Sequence, residues 1–239
     1  MADPTPVVFI HGFAGDTERT WREPGWFDLV GEAGRRPVGI DLLGHGTAPR
    51  PTDPAAYDDL AGPVLEALPD GPVDVIAYSL GARTALEIAI AHPDRFRRLV
   101  LGGVGRNVVA AGGDPEAGGD PSHGDPGAGA DPAGSELADH EIHRFEGLIA
   151  AAGENAEALR ACLARRRRRF TPAELARVTA PTLVVVGDRD FAGPPDPLVE
   201  ALGEARAVVL RGVDHFALPK SFDFIDAALE FVGAVPDWG

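Results

Sequence analysis

Ser79 lies between an apolar run that reads as a strand (73–77) and a helical run beginning at Leu80, with Ala77 two residues before it and Gly81 two after. A serine at a tight strand-to-helix turn has the arrangement of a nucleophile elbow, in which a strained turn lifts a hydroxyl above the end of a sheet. The small residues matter because the turn brings the strand and helix backbones close together. Serine alone is a poor nucleophile. It needs a base within hydrogen-bond reach, and the base needs an acid to fix its tautomer and stabilise its charge. His215, in Arg211-Gly-Val-Asp-His-Phe216, follows the last strand-like run and can supply the base. Asp190, in Gly187-Asp-Arg-Asp190, follows the run before it and can supply the acid, with Asp188 and Asp214 as alternatives. Each residue also has a plain reading: Ser79 as a helix N-cap, His215 as a loop histidine held by backbone, Asp190 as a turn or cap residue. Their joint presence in this order favours a Ser-His-Asp triad. Asp190 is preferred among the acids because it lies further beyond the strand, where a loop can turn it inward.

Acyl transfer also needs two backbone N–H donors aimed at the developing oxyanion. One is expected from Leu80, at a helix N-terminus where the dipole helps. The other is expected from Phe13, in the loop after the first strand-like run, where Gly12 permits a sharp bend. His11 precedes that donor and reads as a brace for the loop rather than a base.

These groups need a scaffold that brings them to one place. Apolar runs at 7–10, 38–41, 73–77, 99–102, 183–186 and 207–210 predict buried parallel strands. Helical patterns at 26–33, 54–68, 80–92, 195–202 and 221–232 alternate with them. The alternation predicts a three-layer α/β fold with right-handed crossovers. In a parallel sheet all strand carboxyl ends open on one edge, so Ser79, Asp190 and His215 can converge there. The core is expected over 1–102 and 170–239, and the stretch 103–169 breaks the rhythm. Within it, 111–134 is rich in Gly, Asp and Pro and reads as a disordered loop, while 135–169 has helical composition. Such an insertion after the fourth strand can serve as a lid.

The 239 residues, 44% hydrophobic, suit one domain with a small cap. No apolar run approaches the ~18 residues of a membrane span, and the N-terminus lacks the basic and apolar segments of a signal peptide. The single Cys162 cannot form an intrachain disulfide, and a reducing cytoplasm is the simplest location. A net charge of −15 argues against nucleic acid or an anionic membrane as partner and leaves a small molecule. His140-Glu-Ile-His143 lacks the spacing of zinc enzymes, and no nucleotide-binding glycine motif is present, so neither metal nor cofactor is expected. Oligomeric state is not readable.

On His11-Gly12-Phe13, Asp41-Leu-Leu-Gly-His-Gly46, Ala77-Tyr-Ser-Leu-Gly81, Gly187-Asp-Arg-Asp190 and Asp214-His215-Phe216, the chain resembles the α/β-hydrolase fold superfamily, in its small prolyl-aminopeptidase-like and esterase-like branch. The order Ser, Asp, His is that of the family. The resemblance implies that the aspartate closing the Gly-x-x-Asp segment is the triad acid, in agreement with Asp190, and that the Asp41–Gly46 turn is structural. Two departures stand out. Ala77 replaces the glycine that usually opens the elbow. The chain also starts almost at the first core strand, which predicts a six-stranded sheet without the two N-terminal edge strands many relatives carry.

A serine at the elbow disfavours the epoxide hydrolase and dehalogenase chemistries of the fold, which use aspartate there. What remains is attack on a carbonyl, of an ester, thioester, lactone or activated amide, with an ester or thioester as the leading reading. Tyr78-Ser-Leu-Gly-Ala-Arg83 is also similar to the elbow of the menaquinone-pathway synthase that eliminates pyruvate (SHCHC synthase). That likeness implies Tyr78 and Arg83 as substrate-binding candidates, and lyase or C–C cleavage on an anionic substrate as the alternative chemistry. The plain reading of Arg83 is a helix residue paired with an acidic neighbour. The run Arg165–Arg169 reads as a solvated face or as further cations for an acidic substrate. A non-catalytic binder on the same fold is a third reading.

Overall fold

The computed structural model describes residues 5–110, 139–165 and 168–237, and in the helix opening the second stretch the side chains from residue 143 onward. The strands are β1 (Val7–Ile10), β2 (Pro37–Ile40), β3 (Val73–Tyr78), β4 (Phe96–Gly102), β5 (Thr182–Arg189) and β6 (Ala205–Asp214). They form one sheet in the order β2-β1-β3-β4-β5-β6, and every pairing is parallel. The helices are α1 (Trp26–Glu32), α2 (Ala61–Ala67), α3 (Leu80–Ala91), α4 (Asp139–Ala151), α5 (Ala156–Ala164), α6 (Pro172–Leu175), α7 (Asp196–Ala201) and α8 (Phe222–Val232).

The sheet is buried on both faces, and strand alternation divides the core in two. Val8 and Ile10 of β1, Val75 and Ala77 of β3, and Val184 and Val186 of β5 point to the face covered by α2, α3, α6 and α7. Val7 and Phe9, Ile76 and Tyr78, and Leu183 and Val185 point to the other, against α1, α8 and the buried Trp21 and Trp26. This is the expected three-layer α/β architecture.

The expected helix over 54–68 divides. A 3₁₀ turn at Pro54–Tyr57 is capped by Asp53, whose carboxylate accepts from Ala55 N at 3.0 Å. Asp59 accepts from Gly62 N at 2.7 Å, in the first turn of α2. Two acidic groups each bind nearby backbone, which restarts the helix instead of continuing it. The strands β4, β5 and β6 are all longer than expected. No helix among the described residues is long and apolar enough to cross a membrane. The glycine-rich stretch read as a disordered loop at 111–134, the His140 side chain, and Arg166 and Arg167 lie outside the described residues.

Candidate active site

Ser79 joins β3 to α3 with φ 52° and ψ −109°, and its hydroxyl makes no cap bond to the helix. A non-glycine residue in this region is strained and persists only where its surroundings hold it. The Ser79 N–H donates to the Gly102 carbonyl at 2.8 Å, tying the turn to the end of β4. Gly81 explains the tightness on the other side. A Cβ there would lie 2.4 Å from the Ile10 oxygen and 2.5 Å from the His11 oxygen.

His215 reaches the serine from the loop after β6. Its Nε2 is 2.8 Å from Ser79 Oγ, and its Nδ1 is 2.9 Å from Asp190 Oδ1. Asp190 Oδ1 also accepts from Ala192 N at 2.8 Å, which fixes the carboxylate. With Nδ1–H donating to Asp190, Nε2 presents its lone pair to the serine hydroxyl. The structure therefore brings together Ser79, His215 and Asp190, separated by up to 136 positions in the chain. The alternative acids are engaged elsewhere. Asp188 accepts from Gly212 N at 2.7 Å, and Asp214 pairs with Arg144 at 2.9 Å. Asp188 lies in the extended end of β5, where the Asp190 N–H donates to the Gly187 carbonyl at 3.1 Å.

Tyr78 does not line the cavity described below. As the last residue of β3 it follows strand alternation onto the α8 face, where its hydroxyl donates to the His215 carbonyl at 2.7 Å. Burial, with Asp190 and Asp214 nearby, pushes its phenol well above the usual range, so it stays a neutral donor. Tyr78 supports the histidine loop, which corrects its expected place against substrate.

The loop after β1 lies across the elbow. Gly12 is needed there because a Cβ would meet the Tyr78 ring at 2.8 Å. Ala14, at φ 57°, is the only other non-glycine residue with positive φ among the described residues. His11 is buried and held at both nitrogens, with Nδ1 2.7 Å from the Gly12 carbonyl and Nε2 accepting from Leu42 N at 3.0 Å. Burial lowers its pKa, so the neutral ring braces the loop. Asp41 accepts from Thr17 N and Thr47 N, each at 2.8 Å. Burial opposes its ionisation, but these bonds outweigh that and bring its pKa down to about 2.

A cavity of about 340 Å³ opens onto Ser79, with Phe13 and Leu80 in its wall. Leu80 is the first residue of α3, where an N–H has no intrahelical acceptor. Its lining includes the apolar side chains of Phe13, Phe145, Leu163 and Phe191. It also includes four basic residues, Arg83, Arg165, Arg168 and Arg169. Arg83 Nη2 donates to the Asn107 carbonyl at 3.0 Å, and Arg168 pairs with Glu174 at 3.1 Å. One turn along α3, Glu87 has its carboxyl raised by burial, an effect that Arg168, Arg165 and Arg83 oppose.

Sequence reasoning missed Phe145, Phe191, Asn107 and Gly103. Two had a signal: Phe191 directly follows Asp190, and Gly103 directly follows β4, where its φ of 67° sets it against the His215 ring. Among the described residues no group of three or more His, Cys, Asp or Glu could hold a metal ion.

Comparison with known proteins matches residues 5–117 to the alpha/beta hydrolase fold family. The pimeloyl-[acyl-carrier protein] methyl ester esterase of Neisseria meningitidis serogroup B is 31% identical over 196 residues, covering 74% of each chain. The 2-hydroxymuconate semialdehyde hydrolase of Pseudomonas sp. strain CF600 is 39% identical over 105 residues, 41% of this chain and 36% of that one. This chain thus spans about a third of that relative. A bromoperoxidase from Bacillus anthracis superposes with a TM-score of 0.68 over 97% of this chain and 93% of its own, at 20% identity, a likeness of fold.

Proposed function

The chain belongs to the α/β-hydrolase fold family and is an enzyme of it; we propose that it is a serine hydrolase cleaving a carboxylic ester or thioester through an acyl-enzyme. The observation that carries this reading is the hydrogen-bonded chain from Ser79 Oγ through His215 to Asp190, at 2.8 and 2.9 Å. His215 Nε2 takes the hydroxyl proton as Oγ attacks the carbonyl carbon. The carbonyl electron pair moves onto oxygen, and the Phe13 and Leu80 N–H groups stabilise that charge. Collapse expels the alcohol or thiol, which receives the proton from His215. Water then attacks the acyl-enzyme with His215 again as base, freeing the acid and restoring Ser79. Asp190 holds the imidazole tautomer and balances the imidazolium. None of these steps calls on a cofactor.

The insertion at 103–169 is the lid in this reading, with α4 and α5 supplying Phe145 and Leu163 to the cavity. The net charge of −15 supports a small molecule over nucleic acid as partner, and the lone cysteine supports a cytoplasmic location. The relative named as a methyl ester esterase supports ester over amide. The test is labelling with a fluorophosphonate. The native protein should react at one residue, and Ser79→Ala should lose both the label and at least about 10³-fold in kcat for p-nitrophenyl esters. Equal labelling of the alanine variant would remove the mechanism.

The four arginines that line the cavity favour a second reading, lyase or C–C cleavage on an anionic substrate. Under it Arg83→Gln should raise KM for an acidic substrate about 10- to 100-fold and leave p-nitrophenyl acetate nearly unchanged. An equal change for neutral and acidic substrates would leave that reading without support.

A further inference from the structure

Two consecutive residues of α4 meet the loop that carries His215. Arg144 Nη1 donates to Asp214 Oδ2 at 2.9 Å, and its guanidinium carbon lies 4.0 Å from the centroid of the Phe216 ring. One arginine thus grips both chain neighbours of the histidine from outside the cavity. Phe145, the next residue, points inward. Its ring centroid is 5.4 Å from Phe216, 5.9 Å from Phe191 and 5.9 Å from Phe13. Phe191 in turn packs on the His215 ring at 4.1 Å. The aromatic wall above Ser79 is therefore closed by a side chain whose helix is fastened next to the imidazole.

Asp214 is a durable anchor. Its other oxygen accepts from Ala217 N at 2.8 Å. Burial works against its charge, but the bonds from Ala217 and Arg144 prevail and hold the carboxyl below the usual range. The ion pair remains partly open to water, with the two side chains 49% and 41% exposed. Such a clamp is modest in strength and can open on the time scale of substrate entry.

Resting on the serine-hydrolase reading, we propose that Arg144 is a specificity-determining residue: by fastening α4 to Asp214 and Phe216 it holds Phe145 across the cavity and excludes bulky acyl groups. Small acyl groups fit beneath the ring, whereas bulky ones wait for the clamp to release.

The experiment compares inactivation rate constants for a small-alkyl and a biphenyl-bearing fluorophosphonate. An exposed ion pair together with a cation–π contact corresponds to about tenfold. Arg144→Gln should raise the bulky-to-small ratio by about that factor while changing the small-probe rate less than about twofold. Arg144→Lys keeps the charge but loses the planar stacking, and should fall between. Phe145→Ala should raise the ratio directly, and adding Arg144→Gln to it should change nothing more, because both act through one ring. An unchanged ratio in Arg144→Gln, or additive effects in the double variant, overturns the proposal. An equal fall in both rates also overturns it, by assigning Arg144 to the placement of His215 instead of size selection. Native protein that neither probe labels at Ser79 takes down the serine-hydrolase reading itself, an outcome distinct from a flat ratio on a labelled serine.

Discussion

At the scale of single residues, the serine and the glycine two positions later depend on each other. Ser79 holds its backbone angles because α3 starts hard against the end of β1, and only hydrogen at position 81 allows that approach. The obstructing atoms are the carbonyl oxygens of Ile10 and His11, at 2.4 and 2.5 Å from the Cβ an alanine would add. Backbone cannot swing aside as a flexible side chain can. Gly81→Ala should therefore lose about 1–3 kcal/mol in a urea titration. It should also slow fluorophosphonate labelling, since relief must displace the loop carrying Phe13. An alanine variant normal in both measurements would contradict the packing argument. The residues of this site were unequally visible in the sequence. Ser79, Asp190 and His215 are polar groups just beyond apolar runs, so their place at the strand ends could be read. The part played by Tyr78 was also available, because strand alternation puts it on the face of Ile76, but a motif likeness outweighed that signal. Phe145 and Asn107 had no such pattern. They lie within the stretch 103–169, whose packing no periodicity specifies.

At the scale of elements, the end of the sheet away from the site is fastened by charge. Asp74, at the start of β3, accepts from Arg35 Nη2 at 2.6 Å and Arg97 Nε at 2.9 Å. Arg35 also donates to the Val232 carbonyl at 2.6 Å and, through Nε, to Thr5 O at 3.0 Å. The cluster thus joins β3, β4, the turn before β2 and the end of α8. The Arg35 and Asp74 side chains are 1% and 0% exposed, so neither charge has water to fall back on. Asp74→Asn leaves the Arg35 guanidinium buried without its counter-charge. It should cost about 3–5 kcal/mol, seen as a lower urea midpoint, while the folded fraction keeps its rate of fluorophosphonate labelling. A loss under ~1 kcal/mol would show that the cluster is far more hydrated than its burial implies. Polar residues within the strands also explain why these run past their apolar runs. β4 begins at Phe96 and carries Arg97 and Arg98, and edge strand β6 carries Arg206 and Arg211. A search for unbroken hydrophobic runs stops at such residues, although a buried ion pair or a solvent-facing edge accommodates them.

At the scale of the whole molecule, acid should act through a buried imidazole. His45 is 1% exposed and packs against His11 at 5.3 Å between ring centroids. Burial, with the neighbouring His11, lowers its pKa from 6.5 to about 4. The folded state therefore binds this proton less readily than the unfolded chain. The group's contribution to stability is complete above pH 6.5, declines as the pH falls and is lost by about pH 4. The shift corresponds to about 3 kcal/mol. Asp41 acts in a lower window, losing its contribution as the pH falls from 3.8 through about 2. Urea midpoints at pH 7 and pH 4 should converge in His45→Gln relative to the native protein. Identical losses in the two proteins would show that His45 already carries its proton when folded, or that another group governs the window.

The chain order of the site has a consequence for biosynthesis. The hydroxyl at 79 leaves the ribosome 136 residues ahead of the imidazole at 215, an interval of about 7 to 27 seconds at ordinary rates of translation. In the proposed mechanism the nascent polypeptide carries, throughout that interval, a nucleophile with no base, so incomplete copies would stay inert toward esters. Reactivity appears only once the closing strand has docked.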